Sequence, residues 1–248
     1  MSWLGSMTAA AKAKALEEWL RIRLLRRYRA DAAVGLHLAD VMALAPSDVA
    51  QGLSTVDPRS IPSNPDFVAS GWSEHMLLRY LLALEQCAGA RVLDSCCGLG
   101  WGSHLIGAVS AALVGVDLDP DSVRFCTQRW GRDGVRFEVG NVLQLPFDSG
   151  TFDVVLCMDA IEHFTAAEGR RYLGELARVC RPGGLLFGSS AFPETRWGAD
   201  RLCSKNPHHL HIYTRLEMLD LLERVFGAPS RVTRHYFQAR SSLAPTAS

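Results

Sequence analysis

Residues 92–103 read Val-Leu-Asp-Ser-Cys-Cys-Gly-Leu-Gly-Trp-Gly-Ser, and residues 114–119 read Val-Gly-Val-Asp-Leu-Asp. Each stretch begins as a short apolar run and reaches a carboxylate, Asp94 in the first and Asp117 in the second. The first run continues into a glycine-rich turn, and such turns bring bare backbone close to the ligand of an open α/β sheet. Together the two stretches predict half of a nucleotide-binding βαβ unit.

The spacing of the glycines narrows the kind of nucleotide. A dinucleotide fingerprint has the form G-x-G-x-x-G, which would need a glycine at position 103. This chain has Ser103 there and Gly102 one position earlier. Asp94, just before the turn, would repel a pyrophosphate but suits a ligand that carries an ammonium group. The stretch therefore favours S-adenosylmethionine, with its zwitterionic amino-acid end and positive sulfonium, over NAD.

Apolar runs and amphipathic segments alternate along the following chain, which predicts an α/β fold with a doubly wound, mostly parallel sheet and helices on both faces. The candidate strands are 91–94, 112–117, 135–139, 152–158 and 184–190. The candidate helices are 73–88, 103–110, 120–130, 166–180 and 214–226. One antiparallel edge strand is expected over 230–238. Since it is the single strand candidate after residue 226, a seventh strand is left open.

Three regions are expected along the chain. Residues 1–66 are predicted to form an N-terminal helical lid followed by a linker arm, the arm being the Pro-rich segment 46–66. Residues 67–238 are predicted to form the nucleotide-binding domain. Residues 239–248, which are small and polar, are expected to be a disordered tail.

Charge and cysteine usage limit the classes of partner. Lys plus Arg and Asp plus Glu balance at 26 each, so the chain as a whole has no electrostatic preference for a polyanion. The segment 12–29 is nevertheless basic, with seven bases and two acids. We expect it to act as a solvated lid, with weak contact to a membrane surface or an anionic substrate as an alternative, and we expect no nucleic acid partner. The seven cysteines lack zinc-site spacing, and no apolar run approaches ~18 residues, so a cytoplasmic protein without a metal site is expected.

The glycine-rich stretch resembles motif I of the class I S-adenosylmethionine-dependent methyltransferases, and the resemblance runs from about residue 72 to 227. Three later segments resemble further motifs of that family in the same order. They are Val-Gly-Asn-Val-Leu-Gln-Leu-Pro-Phe at 139–147, the run from Phe147 to Glu162-His163, and Val-Cys-Arg-Pro-Gly-Gly-Leu-Leu at 179–186. Four ordered motifs at compatible spacings are far more specific than one glycine turn.

The resemblance implies S-adenosylmethionine as the cofactor and assigns it a set of contacts. In chain order these are Asp94, Cys97, Gly98, Gly100, Asp117, Leu118, Asn141, Val142, Met158 and Asp159. Asp94 and the turn would hold the methionine part, and Asp117 would accept hydrogen bonds from the ribose hydroxyls. Asn141 stands where the family usually has Asp, and Cys96 stands where many members have Gly.

The acceptor side is less constrained, and two histidines are the catalytic candidates. His163 follows the fourth strand, and His209 belongs to the segment Asn-Pro-His-His-Leu-His at 206–211. Each is either a base or acceptor contact or an ordinary structural histidine, and a metal is disfavoured because no carboxylate partner is evident. We expect an enzyme that methylates an oxygen, less often a nitrogen or carbon, of a small molecule such as a sugar derivative, lipid-pathway intermediate or secondary metabolite. An RNA or protein methyltransferase and a non-catalytic S-adenosylmethionine-binding protein are the alternatives, and the oligomeric state is left open.

Overall fold

The structure, a computed structural model, describes residues 22–50, 61–70, 72–227, 230–233 and 236–242. Seven strands form one sheet in the order β3-β2-β1-β4-β5-β7-β6. They are β1 (Arg91–Ser95), β2 (Ala112–Asp117), β3 (Val135–Val139), β4 (Phe152–Met158), β5 (Cys180–Ser189), β6 (Arg231–Val232) and β7 (Tyr236–Arg240). The first five run parallel, and β7 pairs antiparallel with both β5 and β6. The predicted doubly wound, mostly parallel fold is confirmed.

Helices connect the strands. Helix α1 is described over residues 22–29. The others are α2 (Val34–Ala43), α3 (Pro46–Ala50), α4 (Pro65–Ser70), α5 (Trp72–Cys87), α6 (Trp101–Ile106), α7 (Pro120–Trp130), α8 (Ala166–Val179), α9 (Arg196–Cys203) and α10 (Arg215–Phe226). A 3₁₀ turn covers Ile161–His163. Capping boxes at Thr165 and Thr214 begin α8 and α10, where side-chain oxygens satisfy otherwise unpaired N–H groups.

Several predicted boundaries are wrong. Two short strands, β6 and β7, replace the single edge strand expected over 230–238, and they bring the sheet to seven strands. Strand β5 begins at Cys180 rather than 184, and helix α9 was not predicted. The segment 46–66 is not wholly a linker, because it contains α3 and the start of α4.

The expected tail also begins later than residue 239. Strand β7 continues through Arg240, because Ala239 pairs with Leu186 of β5. Ser241 is buried, and the backbone N–H of Ser242 donates to the carbonyl of Phe226 at 3.1 Å. The predicted disorder is therefore wrong for residues 239–242, and residues 243–248 lie outside the described residues.

Apolar side chains cover the sheet on both faces. In β4, Val154 and Leu156 belong to one buried cluster, and Val155 and Cys157 belong to the other. This is why the strand reads as a continuous apolar run instead of an alternating one. Helices α5, α6 and α7 pack on the first face, and α8 and α10 pack on the second.

The connection order decides where the site lies. Strand β1 pairs with β2 on one side and with β4 on the other, so the chain proceeds outward through β2 and β3 and then returns past β1. The loops after β1 and β4 therefore diverge to opposite faces of the sheet. In open α/β sheets this reversal opens a crevice beyond the carboxyl ends of the strands, where ligands bind.

The N-terminal helices pack beside this core. In α1, Leu25 and Tyr28 are buried, and Arg27 forms an ion pair with Glu85 of α5. Of the seven bases of the segment 12–29, three lie outside the described residues, and the other four belong to α1. Its lid role stays a prediction. Among the described residues no helix combines the length and apolar character needed to cross a membrane.

Gly102 has a packing function that the sequence pattern did not reveal. It lies inside α6, fully enclosed, and a Cβ atom at this position would overlap the ring of Tyr80 from α5. The third glycine of the motif thus lets α5 approach α6 closely. Its position distinguishes the turn from a dinucleotide fingerprint, but its physical role is helix packing.

We predict that Gly102→Ala lowers the free energy of unfolding by about 1–3 kcal/mol, because overpacking outweighs the helix propensity gained with alanine. The matched control is Gly174→Ala in α8, where a Cβ atom would meet nothing within 4 Å and should stabilise the protein. Urea unfolding measures both. Tyr80→Leu should reduce the cost of Gly102→Ala, and additivity of the two losses would contradict the packing role.

Candidate active site

A cleft of about 540 Å³ lies at the carboxyl ends of the central strands. Ten residues were predicted to contact a cofactor, and eight of them line this cleft. They are Cys97, Gly98, Asp117, Leu118, Asn141, Val142, Met158 and Asp159. The other two, Asp94 and Gly100, lie outside the lining. His163 lines the cleft, whereas His209 does not.

Backbone hydrogen bonds hold the glycine-rich turn against β2. The N–H of Cys97 donates to the carbonyl of Val116 at 3.0 Å, and the N–H of Gly98 donates to Oδ2 of Asp117 at 2.8 Å. Cys96 has a φ of 57°, in the left-handed region that favours glycine. This backbone demand explains why glycine is common there in the family that the sequence resembles, and why Cys96 is strained.

Gly100 does not line the cleft, and packing behind the turn requires glycine at this position. Its φ is 68°, and a Cβ atom there would lie 2.8 Å from Sγ of Cys126 and 2.9 Å from the ring of Phe137. Glycine at this position lets the turn pack tightly on α7 and β3. Gly100 therefore packs on the side of the turn that faces away from the cleft.

Asp117 ends β2 with a half-buried carboxylate that faces the cleft. Each of its oxygens accepts one backbone hydrogen bond, Oδ2 from Gly98 and Oδ1 from Asp119 at 3.1 Å. A carboxylate has about four lone-pair positions, so two remain for donors such as ribose hydroxyls. The next residue, Leu118, is 69% exposed and offers an apolar surface at the same place. Both features fit a nucleoside.

Asn141 fits its predicted role only in part. Its Oδ1 accepts the N–H of Leu143 at 2.9 Å, so one lone pair of the amide oxygen is already used. The second lone pair can still accept an adenine amino group. Val142 beside it is buried and supplies apolar contact.

Asp94 is fully buried and acts on the cleft through its neighbours. Oδ2 accepts the hydroxyl of Ser103 at 2.6 Å, and Tyr80, which lines the cleft, lies 3.4 Å from the same oxygen. Burial raises the pKa of Asp94 to about 7, and these two hydrogen bonds lower it only in part. The placement favours an indirect role, in which Asp94 positions Tyr80.

Sequence reasoning missed an ion pair at the cleft. Arg79 of α5 pairs with Asp159, which follows β4, and both line the cleft. Asp159 has a φ of 47°, and its Oδ1 also accepts the hydroxyl of Ser189 at 3.0 Å. Arg79 follows His75 by four residues and Met76 by three, so helical spacing can place the three side chains on one face of α5. This spacing does not reveal that Asp159 is the ion-pair partner of Arg79.

The two catalytic candidates, separated by 46 positions in the chain, are brought together. The rings of His163 and His209 lie 5.2 Å apart, and Nδ1 of His163 donates to the carbonyl of His208 at 3.0 Å. The carbonyl of Glu162 accepts the N–H of Leu210 at 2.8 Å, which holds the histidine segment against the 3₁₀ turn. Burial, with smaller contributions from His163 and His208, lowers the pKa of His209.

Comparison with known proteins finds similarity to methyltransferases. Residues 92–184 match a family model described as a methyltransferase domain. The chain is 32% identical over 152 residues to a probable S-adenosylmethionine-dependent methyltransferase of Mycolicibacterium smegmatis, covering 61% of this chain and 57% of that protein. It is 37% identical over 116 residues to the phthiotriol/phenolphthiotriol dimycocerosates methyltransferase of Mycobacterium leprae, covering 45% and 41%. The chain thus spans about half the length of these relatives.

A solved structure has a similar fold. The YcgJ protein from Bacillus subtilis is similar with a TM-score of 0.55 and 25% sequence identity. The match covers 61% of this chain and 68% of that chain.

We predict that Asp94→Asn removes a pH-dependent destabilisation. Because burial raises the pKa of Asp94 from 3.8 to about 7, the folded protein binds an extra proton in this interval and loses stability as the pH rises. The free energy of unfolding of Asp94→Asn should therefore rise relative to wild type by up to about 1.4 kcal/mol per pH unit between roughly pH 4 and pH 7.

Asp153→Asn is the control of opposite sign. Burial raises the pKa of Asp153, but hydrogen bonds from Arg91 and Arg181 outweigh it, so the net pKa is lowered. Its contribution to stability should be lost as the pH falls. Because its pKa lies below 3.8, this loss falls below about pH 4, and between pH 4 and pH 7 the profile of Asp153→Asn should run parallel to that of wild type. Urea unfolding from about pH 3 to pH 7 separates the two variants, and parallel profiles for wild type and Asp94→Asn would refute the buried ionisation.

Proposed function

Because the chain contains a class I S-adenosylmethionine-dependent methyltransferase domain, we propose that it transfers the methyl group of S-adenosylmethionine to an oxygen of a small-molecule acceptor. The observation that carries the proposal is one continuous cleft with two chemically distinct ends. The glycine turn after β1 and Asp117 at the end of β2 face this cleft, and His163 faces it from the loop after β4.

The first end suits the cofactor. S-adenosylmethionine, when bound, supplies an electrophilic methyl group on a sulfonium. Asp117 would accept hydrogen bonds from its ribose, Leu118 and Val142 would pack on its adenine, and the turn at 96–98 would hold its methionine part. Tyr80, positioned by Asp94, borders the same space.

The second end suits an acceptor that loses a proton. The carbonyl of His208 can only accept a hydrogen bond, so Nδ1 of His163 carries the proton and Nε2 of the neutral ring is an acceptor. Nε2 can take the proton of an acceptor hydroxyl, a contribution typically worth about 10²–10⁴-fold in rate. Met76 and Phe164 line the cleft too and give it apolar surface for the body of the acceptor.

The apolar lining of the cleft and the name of one relative together indicate the class of acceptor. The mycobacterial relative named above is a phthiotriol/phenolphthiotriol dimycocerosates methyltransferase, and its name describes a hydroxylated lipid substrate. An apolar surface beside His163 is compatible with such chemistry. We therefore take an alcohol or phenol on an apolar carbon skeleton as the acceptor to test first.

We predict that Asp117→Asn weakens S-adenosylmethionine binding about 10–100-fold, because hydrogen bonds to a charged acceptor contribute about 1.5–3 kcal/mol. Isothermal titration calorimetry measures the dissociation constant. Asp148→Asn, an exposed carboxylate outside the cleft, is the control and should bind as wild type does. Equal affinity in Asp117→Asn and wild type would remove the ribose contact from the proposal.

We predict that labelled S-adenosylmethionine transfers its methyl group to the lipid and small-molecule fraction of a cell extract, and that His163→Asn lowers this rate about 10²–10⁴-fold while cofactor affinity stays unchanged. His211→Asn, which alters a neighbouring histidine outside the cleft, should retain the rate. Label confined to protein or RNA would overturn the small-molecule acceptor. Cofactor binding without transfer to any fraction would favour a non-catalytic protein.

A further inference from the structure

We propose that Glu162, His163 and His209 bind a divalent transition-metal ion at the acceptor end of the cleft. One potential ligand atom from each of the three residues lies within 4.8 Å of the other two. The inference goes beyond the proposed function, because metal binding can be measured without a methyl donor or acceptor. Glu162 is the carboxylate partner that was not evident in the sequence of the histidine-rich segment 206–211.

The cluster is expanded relative to a metal-bound site. A tetrahedral ion with bonds of about 2.1 Å holds its ligands roughly 3.4 Å apart, so the three atoms would draw together by up to about 1.4 Å. Rotation of the side chains covers such a distance. The backbone is already held, because the N–H of Leu210 donates to the carbonyl of Glu162 at 2.8 Å.

Two of the three side chains present buried atoms that lack a partner among the described residues. Glu162 is 6% exposed, and its Oε2 accepts no hydrogen bond there. Nδ1 of His209 is buried and equally unpaired. A buried polar atom without a partner costs about 1–3 kcal/mol, and native proteins rarely retain one without a reason. An ion between Glu162 and His209 would satisfy both atoms.

Each histidine is held through the nitrogen that would not bind the ion. Nδ1 of His163 contacts the carbonyl of His208 at 3.0 Å, and Nε2 of His209 contacts the side-chain amide of Asn206 at 2.9 Å. Metal-binding histidines usually donate the N–H of their second nitrogen to a partner that orients the ring, as His163 does. Nε2 of His209 instead accepts a hydrogen bond from the Asn206 amide. The remaining nitrogens are Nε2 of His163 and Nδ1 of His209.

Asn206 makes the site sensitive to its amide orientation. Its Oδ1 accepts the N–H of His208 at 3.0 Å, so its Nδ2 donates to Nε2 of His209 and the proton of the neutral ring lies on Nδ1. Metal binding through Nδ1 would move this proton to Nε2, and the Asn206 amide would then have to turn so that its Oδ1 accepts it. A carboxylate at position 206 could accept both the His208 N–H and a proton on Nε2, which would leave Nδ1 available for the ion.

The surrounding charges permit a cation. Arg79 acts electrostatically on Glu162, but it is paired with Asp159. Two histidines and one carboxylate with open positions are the ligands of catalytic Zn²⁺ and of related first-row ions, whereas Mg²⁺ and Ca²⁺ prefer oxygen ligands. Since His163 lines the cleft, an oxygen donor such as an acceptor hydroxyl could occupy an open position. In that state His163 acts as a ligand and the ion lowers the pKa of the bound hydroxyl.

A second group, His37, Asp40 and His104, provides an internal comparison. Its ligand atoms also lie within 4.8 Å of one another. Both nitrogens of His104 are engaged, however, Nε2 by His37 and Nδ1 by the guanidinium of Arg132 at 2.8 Å. A cation beside the ring disfavours a metal there. This group should not account for Zn²⁺ bound by the protein.

The test is Zn²⁺ titration of the chelator-treated full chain, with calorimetry and metal analysis after dialysis. We expect one bound ion in wild type, and affinity at least 10-fold weaker in Glu162→Gln and in His209→Asn. His211→Asn, in the same segment, and Asp40→Asn, in the comparison group, should bind as wild type does. Asn206→Asp should bind about 10-fold more tightly, as expected from a carboxylate partner on the ligating histidine.

Thermal unfolding guards against variants that merely misfold. Zn²⁺ should raise the thermal unfolding midpoint of wild type and of His211→Asn. It should leave the midpoint of Glu162→Gln at the value that this variant has without metal. Absence of binding in wild type, full binding in Glu162→Gln, or loss of binding in Asp40→Asn would each overturn the proposal. Binding of S-adenosylmethionine and methyl transfer are scored separately, so failure of the metal site is distinguishable from failure of the proposed function.

Discussion

The parallel pairing of β1 between β2 and β4 is the constraint on which the site depends. Because the sheet order reverses at β1, loops leave the carboxyl ends of β1 and β4 toward opposite faces and leave a crevice between them. The chain supplies the cleft residues from four strand ends. They are Cys97 after β1, Asp117 at the end of β2, Asn141 after β3 and Asp159 after β4.

Several energetically unfavourable features lie at or next to the same crevice. Cys96 and Asp159 adopt left-handed backbone conformations, and Asp94 is a buried carboxylate whose oxygens contact the hydroxyls of Ser103 and Tyr80. Such features cost of order 1–3 kcal/mol each and persist only when the surrounding fold enforces them. Here the enforcement is visible, because the sheet holds each residue at a strand end and α5 closes over them. Strain concentrated in one cleft supports the view that the cleft is the functional site.

The sequence predicted what depends on local pattern. The apolar runs located five strands, and the glycine motif placed Gly98 and Asp117 at the cleft, because both residues lie at strand ends that the local pattern encodes. Contacts between residues far apart in the chain could not be predicted from local pattern. Arg79 meets Asp159 across 80 positions, and nothing in either segment encodes the other. Gly102 was assigned to the turn, since a motif shows that glycine is required but not whether a ligand or the Tyr80 ring requires it.

The two ends of the cleft are built from different parts of the fold, and this separates their chemistry. The cofactor end consists of strand termini and backbone, so substitutions there disturb the sheet and the nucleotide together. The acceptor end receives side chains from α5 and is supported by the segment 206–211, which lies outside the sheet and is held by hydrogen bonds to Glu162 and His163. Changes in that segment can alter the acceptor without altering the strand ends. The glycine motif therefore points to the methyl donor, whereas in our proposal Glu162, His163 and the segment that contacts them select the acceptor.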